Sequence, residues 1–221
     1  MRHAKIVIII FGLITTLNSQ SYFKKYSNFP GGSESISNII KIDSLLSIII
    51  SSGEIENLET WQITNRIIKN QNGEQVNKSY MELNKNFSYS TQSTILNNKN
   101  NLIGVGTSSI SNSLIWDYDI FLFEMDKSAN VIWSKSIGDS FVKESSKTVI
   151  QTDDGGYLIG GWRYKSPTSN LQEAFLLKTS STGDSLWMRF YTQPELSNHT
   201  EGKVLVNGEN NTCYYFYKTD Y

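Results

Sequence analysis

Two stretches with the same pattern of residue types, 54 positions apart, constrain this fold more than any other feature. Residues 119–137 read DIFLFEMDKSANVIWSKSI, and residues 173–191 read EAFLLKTSSTGDSLWMRFY. Each stretch contains an apolar run, a polar turn and a segment that carries a tryptophan, Trp133 or Trp187. The apolar runs are short and continuous, which is typical of strands covered on both faces and not of amphipathic helices. The spacing therefore predicts a repeated β unit in which both tryptophans are packing residues.

A predicted hairpin precedes each of these stretches. In residues 145–164, SSKTVIQTDDGGYLIGGWRY, an Asp-Gly turn separates two apolar runs, and such turns form hairpins because they need positive φ. Residues 102–109, LIGVGTSS, match YLIGGWRY 55 positions later, so that Gly106 corresponds to Gly161. Asparagines stand in the earlier turn, and asparagine also tolerates positive φ. Each unit is thus predicted to contain four strands.

After residue 20 the chain divides into three such units and part of a fourth. We place them at residues 31–82, 86–138, 142–192 and 199–221. A repeated four-stranded antiparallel unit of this length indicates a β-propeller blade, whereas a β-sandwich of hairpins would not explain the shared period. We predict that residues 21–221 form an all-β domain of about three and a half blades, in an open or incomplete ring. Closed propellers use about four to eight blades, so we expect a truncated product, a ring completed by another copy, or an arc that self-associates.

Three segments carry a resemblance to a known group of proteins. DDGGYLIGG, AFLLKTSSTGDSLW and FPGGSES resemble the repeats of secreted bacterial β-propeller proteins, most closely over residues 145–191. The double glycine and later tryptophan are more distantly similar to kelch propellers and to the tryptophan-docking repeats of quinoproteins. Ala129-Asn130 stands where those repeats have Gly-Asp, and the first unit lacks the tryptophan. The resemblance implies a propeller fold and an extracytoplasmic location, but no particular activity.

Residues 1–20 have the layout of a secretory signal peptide. Arg2 and Lys5 precede an apolar run at residues 6–14, and small and polar residues follow it. The run is too short for a membrane anchor, which needs about 20 apolar residues. We therefore expect a secreted, cell-surface or periplasmic protein with no membrane span. Loss of these two basic residues shifts the net charge from −1 to −3, so nucleic acid and anionic membranes are not expected partners.

The chain has few residues suited to catalysis or metal binding. After residue 20 it contains one histidine, His199, and one cysteine, Cys213, so a nucleophilic triad and the usual zinc or copper sites are not supported. The aspartates in WDYD, residues 116–119, and in TDDGG, residues 152–156, are too few for a calcium site. We predict a non-enzymatic protein without cofactor or metal. The alternative is a fragment of a larger propeller enzyme or surface protein, with carboxylate-based sugar chemistry as the enzymatic variant.

The candidate binding residues flank the loops between the second and third strands of two neighbouring units. In propellers these loops open onto one end of the ring, where partners commonly bind. Aromatic side chains beside charges suit contacts with sugars or peptides, although the same rings could instead pack along the blade edge. We therefore predict a glycan or protein ligand, bound by Trp116, Asp117, Tyr118, Trp162, Arg163 and Tyr164.

Overall fold

The computed structural model describes most of the chain after residue 33. The described residues are 8–9, 23–24, 34–54, 61–69, 74–81, 83–84, 86–110, 117–128, 130–139, 141–191, 199–207 and 213–220. They form strands and turns, and no helix among them could cross a membrane. The predicted all-β class is confirmed. The predicted signal peptide lies outside the described residues, apart from the short strand β1.

Sixteen strands occur in the described part of the chain. The two shortest, β1 (Ile8–Ile9) and β2 (Phe23–Lys24), pair with each other. The first sheet contains β3 (Glu34–Lys41), β4 (Leu46–Glu54), β5 (Trp61–Lys69) and β6 (Gln75–Tyr80). The second sheet contains β7 (Phe87–Leu96), β8 (Leu102–Ile110), β9 (Tyr118–Met125) and β10 (Val131–Ile137). The third sheet contains β11 (Glu144–Gln151), β12 (Tyr157–Tyr164), β13 (Gln172–Thr179) and β14 (Ser185–Tyr191), and β15 (His199–Asn207) pairs with β16 (Cys213–Asp220).

Every sheet is an antiparallel meander in which strands adjacent in the chain are adjacent in space. The predicted four-stranded antiparallel sheets are therefore confirmed. The first hairpin of the third sheet turns at Gly155, with φ of 81°, and the corresponding turn of the second sheet has φ of 61° at Asn100. Glycine and asparagine thus occupy the positive-φ positions that tight turns require.

The second sheet is buried on both faces, which explains the continuous apolar runs in its sequence. One face packs Phe121 and Phe123 against Ile48, Ile50 and Ile63 of the first sheet. The opposite face packs against the third sheet through a cluster that includes Ile103, Val105, Ile120 and Leu122 on one side and Val149, Ile159 and Phe175 on the other. The two central strands, β8 and β9, therefore bury residues of both parities, whereas a sheet with one wet face would show a strict alternation.

A one-residue β-bulge recurs in the first strand of each four-stranded sheet and in β15 of the β15–β16 pair. The extra residues are Ser37, Gln92, Lys147 and Lys203, which are 55 or 56 positions apart. Bulges bend a strand and alter the facing of side chains beyond them. In the second and third sheets the bulge brings a carbonyl against the neighbouring strand.

This close approach explains the match between Gly106 and Gly161. A Cβ atom on Gly106 would overlap the carbonyl oxygen of Ser90, and one on Gly161 would overlap the carbonyl oxygen of Ser145. Only glycine leaves space for the backbone at these two positions. The repeated glycine is therefore a consequence of the repeated bulge.

A buried charged side chain on the third strand of the second and third sheets holds the first hairpin turn of that sheet. Glu124 Oε1 accepts hydrogen bonds from the amides of Asn97, at 3.0 Å, and Asn101, at 2.7 Å. Lys178, 54 positions later, donates from Nζ to Asp154 Oδ1 at 3.0 Å and to Thr152 Oγ1 at 3.0 Å. Side chains of opposite charge therefore hold the equivalent hairpin turns in the two sheets.

The two repeated tryptophans differ in their surroundings. Trp133 donates from Nε1 to Glu124 Oε2 at 2.7 Å, and its ring lies across the turn of the third sheet, where a Cβ atom on Gly183 would be 2.6 Å from the ring. Trp187 is 40% exposed, and its ring is covered by the guanidinium of Arg189 at 5.2 Å from the ring centroid. Trp133 is the packing residue that the sequence predicts, whereas Trp187 packs less than expected.

Replacing these tryptophans tests the difference. Trp133→Ala should lower the free energy of unfolding by about 2 to 3 kcal/mol, because it removes a ring between two sheets and leaves Glu124 without one donor. Trp187→Ala serves as the matched control and should cost about 1 kcal/mol or less. Urea unfolding followed by circular dichroism measures both losses, and equal losses would contradict the packing described above.

Candidate functional site

The predicted site residues lie at one end of the second and third sheets. Asp117 immediately precedes β9 and Tyr118 begins it, and both are half-buried. Trp162, Arg163 and Tyr164 are the last three residues of β12. Trp116 lies outside the described residues. The structure therefore places Asp117, Tyr118 and the β12 residues at strand ends beside connecting segments.

Alternation along β12 separates its three site residues. Trp162 and Tyr164 lie on one face and Arg163 on the other, because successive strand residues point to opposite faces. The rings of Trp162 and Tyr164 meet edge to face, with centroids 5.7 Å apart, and the ammonium of Lys143 lies 5.7 Å from the Tyr164 centroid. Both rings are half-buried, so they combine packing with an accessible aromatic surface.

Arg163 lies at the centre of a cluster of carboxylates between the second and third sheets. Its Nη1 is 2.9 Å from Asp139 Oδ2 and 3.3 Å from Glu144 Oε1, and its Nε is 3.7 Å from Glu173 Oε1. Glu144, Arg163 and Glu173 are direct cross-strand partners on β11, β12 and β13. The ring of Phe190 on β14 packs against the guanidinium, 4.5 Å from its centroid. The pairing register therefore builds this part of the cluster.

The second sheet contributes two further carboxylates, Asp119 and Asp117. Gly138 lies next to both Asp119 and Glu144. A Cβ atom added to Gly138 would contact Asp119 Oδ1 and would lie 2.6 Å from Glu144 Oε2. Glycine at this position lets the two carboxylates approach each other across the backbone. Asp117 Oδ2 accepts a hydrogen bond from the backbone N–H of Phe141 at 3.1 Å. We call the six residues Asp117, Asp119, Asp139, Glu144, Arg163 and Glu173 the carboxylate cluster.

Burial changes the protonation of this cluster. Loss of solvent raises the pKa of Glu144 to about 7, a rise that Arg163 opposes and that Asp139 and Asp119 increase. Burial also raises the pKa of Asp119, with a smaller contribution from the charge of Asp117. Glu144 is only 1% exposed and its Oε2 atom accepts no hydrogen bond. Around neutral pH the cluster therefore holds a proton that an ordinary glutamate would have released.

The cluster is open to solvent on one side. Asp139 has a side chain that is 66% exposed, and Phe141 is 56% exposed beside it. Phe141 has φ of 65°, a left-handed conformation that is strained for a bulky residue and often found at functional sites. Among the described residues no group of three His, Cys, Asp or Glu side chains has the arrangement of a metal site. The cluster can offer carboxylate acceptors and an aromatic ring to a ligand.

Sequence reasoning named Asp117 and Arg163 but missed most of their neighbours. Asp119 was noted only as part of an aspartate pair, and Asp139, Glu144 and Glu173 gave no signal. The bulge at Lys147 explains why Glu144 belongs to the cluster. With an unbroken register Arg163 would pair with Ser145, and Glu144 would lie on the other face of the sheet. Regular counting from the Asp-Gly turn therefore misplaces this residue.

No known family model matches the chain, and no curated protein is significantly similar to it.

The buried Glu144 predicts an unusual pH dependence of stability. The folded state retains a proton on Glu144 up to pH about 7, whereas a glutamate with the ordinary pKa of 4.5 releases it earlier. The stabilisation is complete below the lower value and is lost as the pH rises through the higher one, by on the order of 2 kcal/mol. Glu144→Gln should remove this loss, which falls between pH 4.5 and about 7.

Urea unfolding across this range measures the effect. Asp153→Asn, at an exposed turn position, is the control and should keep the wild-type profile. Identical pH profiles for the wild type and Glu144→Gln would show that Glu144 titrates like a solvated glutamate.

Proposed function

We propose that this chain is a binding or scaffold module of the β-propeller type that acts outside the cytoplasm. Its ligand is a glycan or a protein, bound at the end of the second and third sheets that carries Asp117, Tyr118, Trp162, Arg163 and Tyr164. It performs no catalysis and needs no cofactor or metal.

The sheet arrangement supports the propeller part of this proposal. Three four-stranded meanders follow one another along the chain. The second packs against the first on one face and against the third on the other. The first-strand bulge recurs at nearly the same interval as the sequence pattern. Serial stacking of equivalent antiparallel sheets is how propeller blades bury their faces.

The carboxylate cluster is the single observation that carries the binding part. It lies where two sheets meet and combines a buried carboxylate oxygen without a hydrogen bond with an exposed rim of Asp139 and Phe141. Buried acceptors are normally satisfied, so an unsatisfied one calls for an explanation. A ligand that donates hydrogen bonds at this end supplies that explanation.

The extracytoplasmic location rests on sequence. The basic and apolar pattern of residues 1–20 and the resemblance to secreted propeller repeats both favour export. Self-association is supported by apolar side chains exposed on the last strand of the third sheet, where Leu186 is 58% and Phe190 45% exposed.

Arrays of glycans and of synthetic peptides test the binding function. Labelled wild-type chain should bind a restricted set of array members, and Trp162→Ala should weaken that binding by about tenfold or more, as expected for an aromatic anchor. Trp187→Ala, which removes a more exposed tryptophan from another strand, should bind like the wild type. Absence of specific binding on both arrays, or equal losses in the two variants, would reject this site.

A second candidate function is hydrolysis of glycosides by the carboxylates. The specific observation in its favour is the pair formed by Glu144, with its pKa raised to about 7, and Asp119, whose oxygen approaches the same point beside Gly138. A protonated carboxyl beside an ionised one is the basis of glycosidase chemistry. The ion pair of Glu144 with Arg163 places this function second, because that contact opposes the protonated form that a general acid needs.

Hydrolysis of chromogenic aryl glycosides tests the enzymatic alternative. If the cluster is catalytic, Asp119→Asn should reduce the rate by about a hundredfold or more, as for loss of an acid or base. Asp153→Asn should leave the rate unchanged. Wild-type rates no higher than those of buffer would remove this candidate.

A further inference from the structure

We propose that the carboxylate cluster binds a cationic side chain, lysine or arginine, from a basic segment of a partner protein. The inference rests on the proposed binding function and specifies the ligand class of the same site.

The balance of charge in the cluster favours a cation. The end of the second sheet contributes Asp117 and Asp119, and the connection between β10 and β11 contributes Asp139. The third sheet contributes Glu144 and Glu173 and the single base Arg163. The neighbouring Lys143 does not balance them, because its ammonium lies over Tyr164 on the other face of β12. The cluster thus contains five carboxyl groups and one guanidinium, and an additional cation lowers the repulsion among the ionised ones.

The unsatisfied oxygen atoms point to a ligand that donates hydrogen bonds. Glu144 is 1% exposed, and its Oε2 atom accepts no hydrogen bond. This atom is directed at Gly138, beside Asp119 Oδ1. The buried Oδ1 atom of Asp117 also has no hydrogen-bond partner. Ammonium and guanidinium groups carry several donors and no acceptor, which matches this set of carboxylates once Glu144 has released its proton.

The rim supplies a second element of cation recognition. Phe141 is exposed, its backbone is in the left-handed region, and its N–H donates a hydrogen bond to Asp117. An exposed aromatic residue thus lies two positions from Asp139 in the chain, and the faces of aromatic rings attract cations. Phosphate and other anions would meet the carboxylates and be repelled.

Proton linkage makes the affinity of this site for a cation depend on pH. A bound cation favours the ionised form of Glu144, so binding releases the proton that burial retains. Affinity should therefore increase as the pH rises through about 7. Between pH 6 and pH 8 the gain should be up to about tenfold.

The probe is an acetylated and amidated tetra-arginine peptide, titrated into the full chain by calorimetry at pH 6 and pH 8 at constant ionic strength. The wild type should bind more tightly at pH 8. Glu144→Gln should remove the pH dependence and weaken binding at pH 8 by about tenfold. Asp139→Asn, at an exposed position, should weaken binding as well, and Asp153→Asn should have no effect.

The proposal is overturned if tetra-arginine does not bind, if tetra-glutamate binds equally well, or if the affinity of the wild type is the same at both pH values. It is also overturned if Asp139→Asn binds like the wild type. Its failure differs from failure of the proposed function: glycan binding that depends on Trp162, without binding of the peptide, leaves a binding module with another ligand. Absence of binding to the arrays and to the peptide rejects both.

Discussion

Burial of both faces of the second sheet is the constraint on which the rest of this structure depends. A sheet with apolar side chains on both faces needs a partner on each side, and here the first and third sheets provide them. This requirement aligns the ends of neighbouring sheets, so that their connecting segments meet. Asp119 from one sheet and Glu144 from the next can approach each other over Gly138 only because the sheets are packed in this way. The hydrophobic core thus positions the polar cluster at its end.

The first-strand bulge decides which residues share that cluster. Beyond the extra residue Lys147, the pairing of β11 with β12 is shifted by one, and Glu144 becomes the partner of Arg163. The same bulge directs a backbone carbonyl at Gly161 and makes a side chain impossible there. A single local irregularity therefore links the glycine that is visible in the sequence with the ion pair that is not. The high pKa of Glu144 follows from this placement, because the bulge turns a carboxylate from the opposite face of the sheet into the interface.

Sequence patterns predict the class, the antiparallel sheets and the hairpin turns, because apolar runs, Asp-Gly and Asn-rich turns act locally. They also identify Asp117 and Arg163 as charged residues at strand ends. The partners of these residues depend on register and on contacts between sheets, and neither a bulge nor the approach of Asp119 to Glu144 has a local signal. Trp187 illustrates the same limit: its sequence surroundings resemble those of Trp133, yet among the described residues the turn of a following sheet covers Trp133, while Trp187 is 40% exposed. Burial at equivalent positions depends on the neighbouring sheet and not on the repeated pattern.

The opposite charges of Glu124 and Lys178 have a consequence for the history of the repeats. The two residues occupy equivalent positions, but one accepts from asparagine amides and the other donates to Asp154 and Thr152. A gene rearrangement that placed the first hairpin of the third sheet beside Glu124 would bury that carboxylate opposite Asp154, which is strongly unfavourable. Such exchanges would be removed by selection, and the copies would go on diverging separately. In each of these two sheets the first hairpin turn is thus complementary to the charged residue on the third strand of the same sheet.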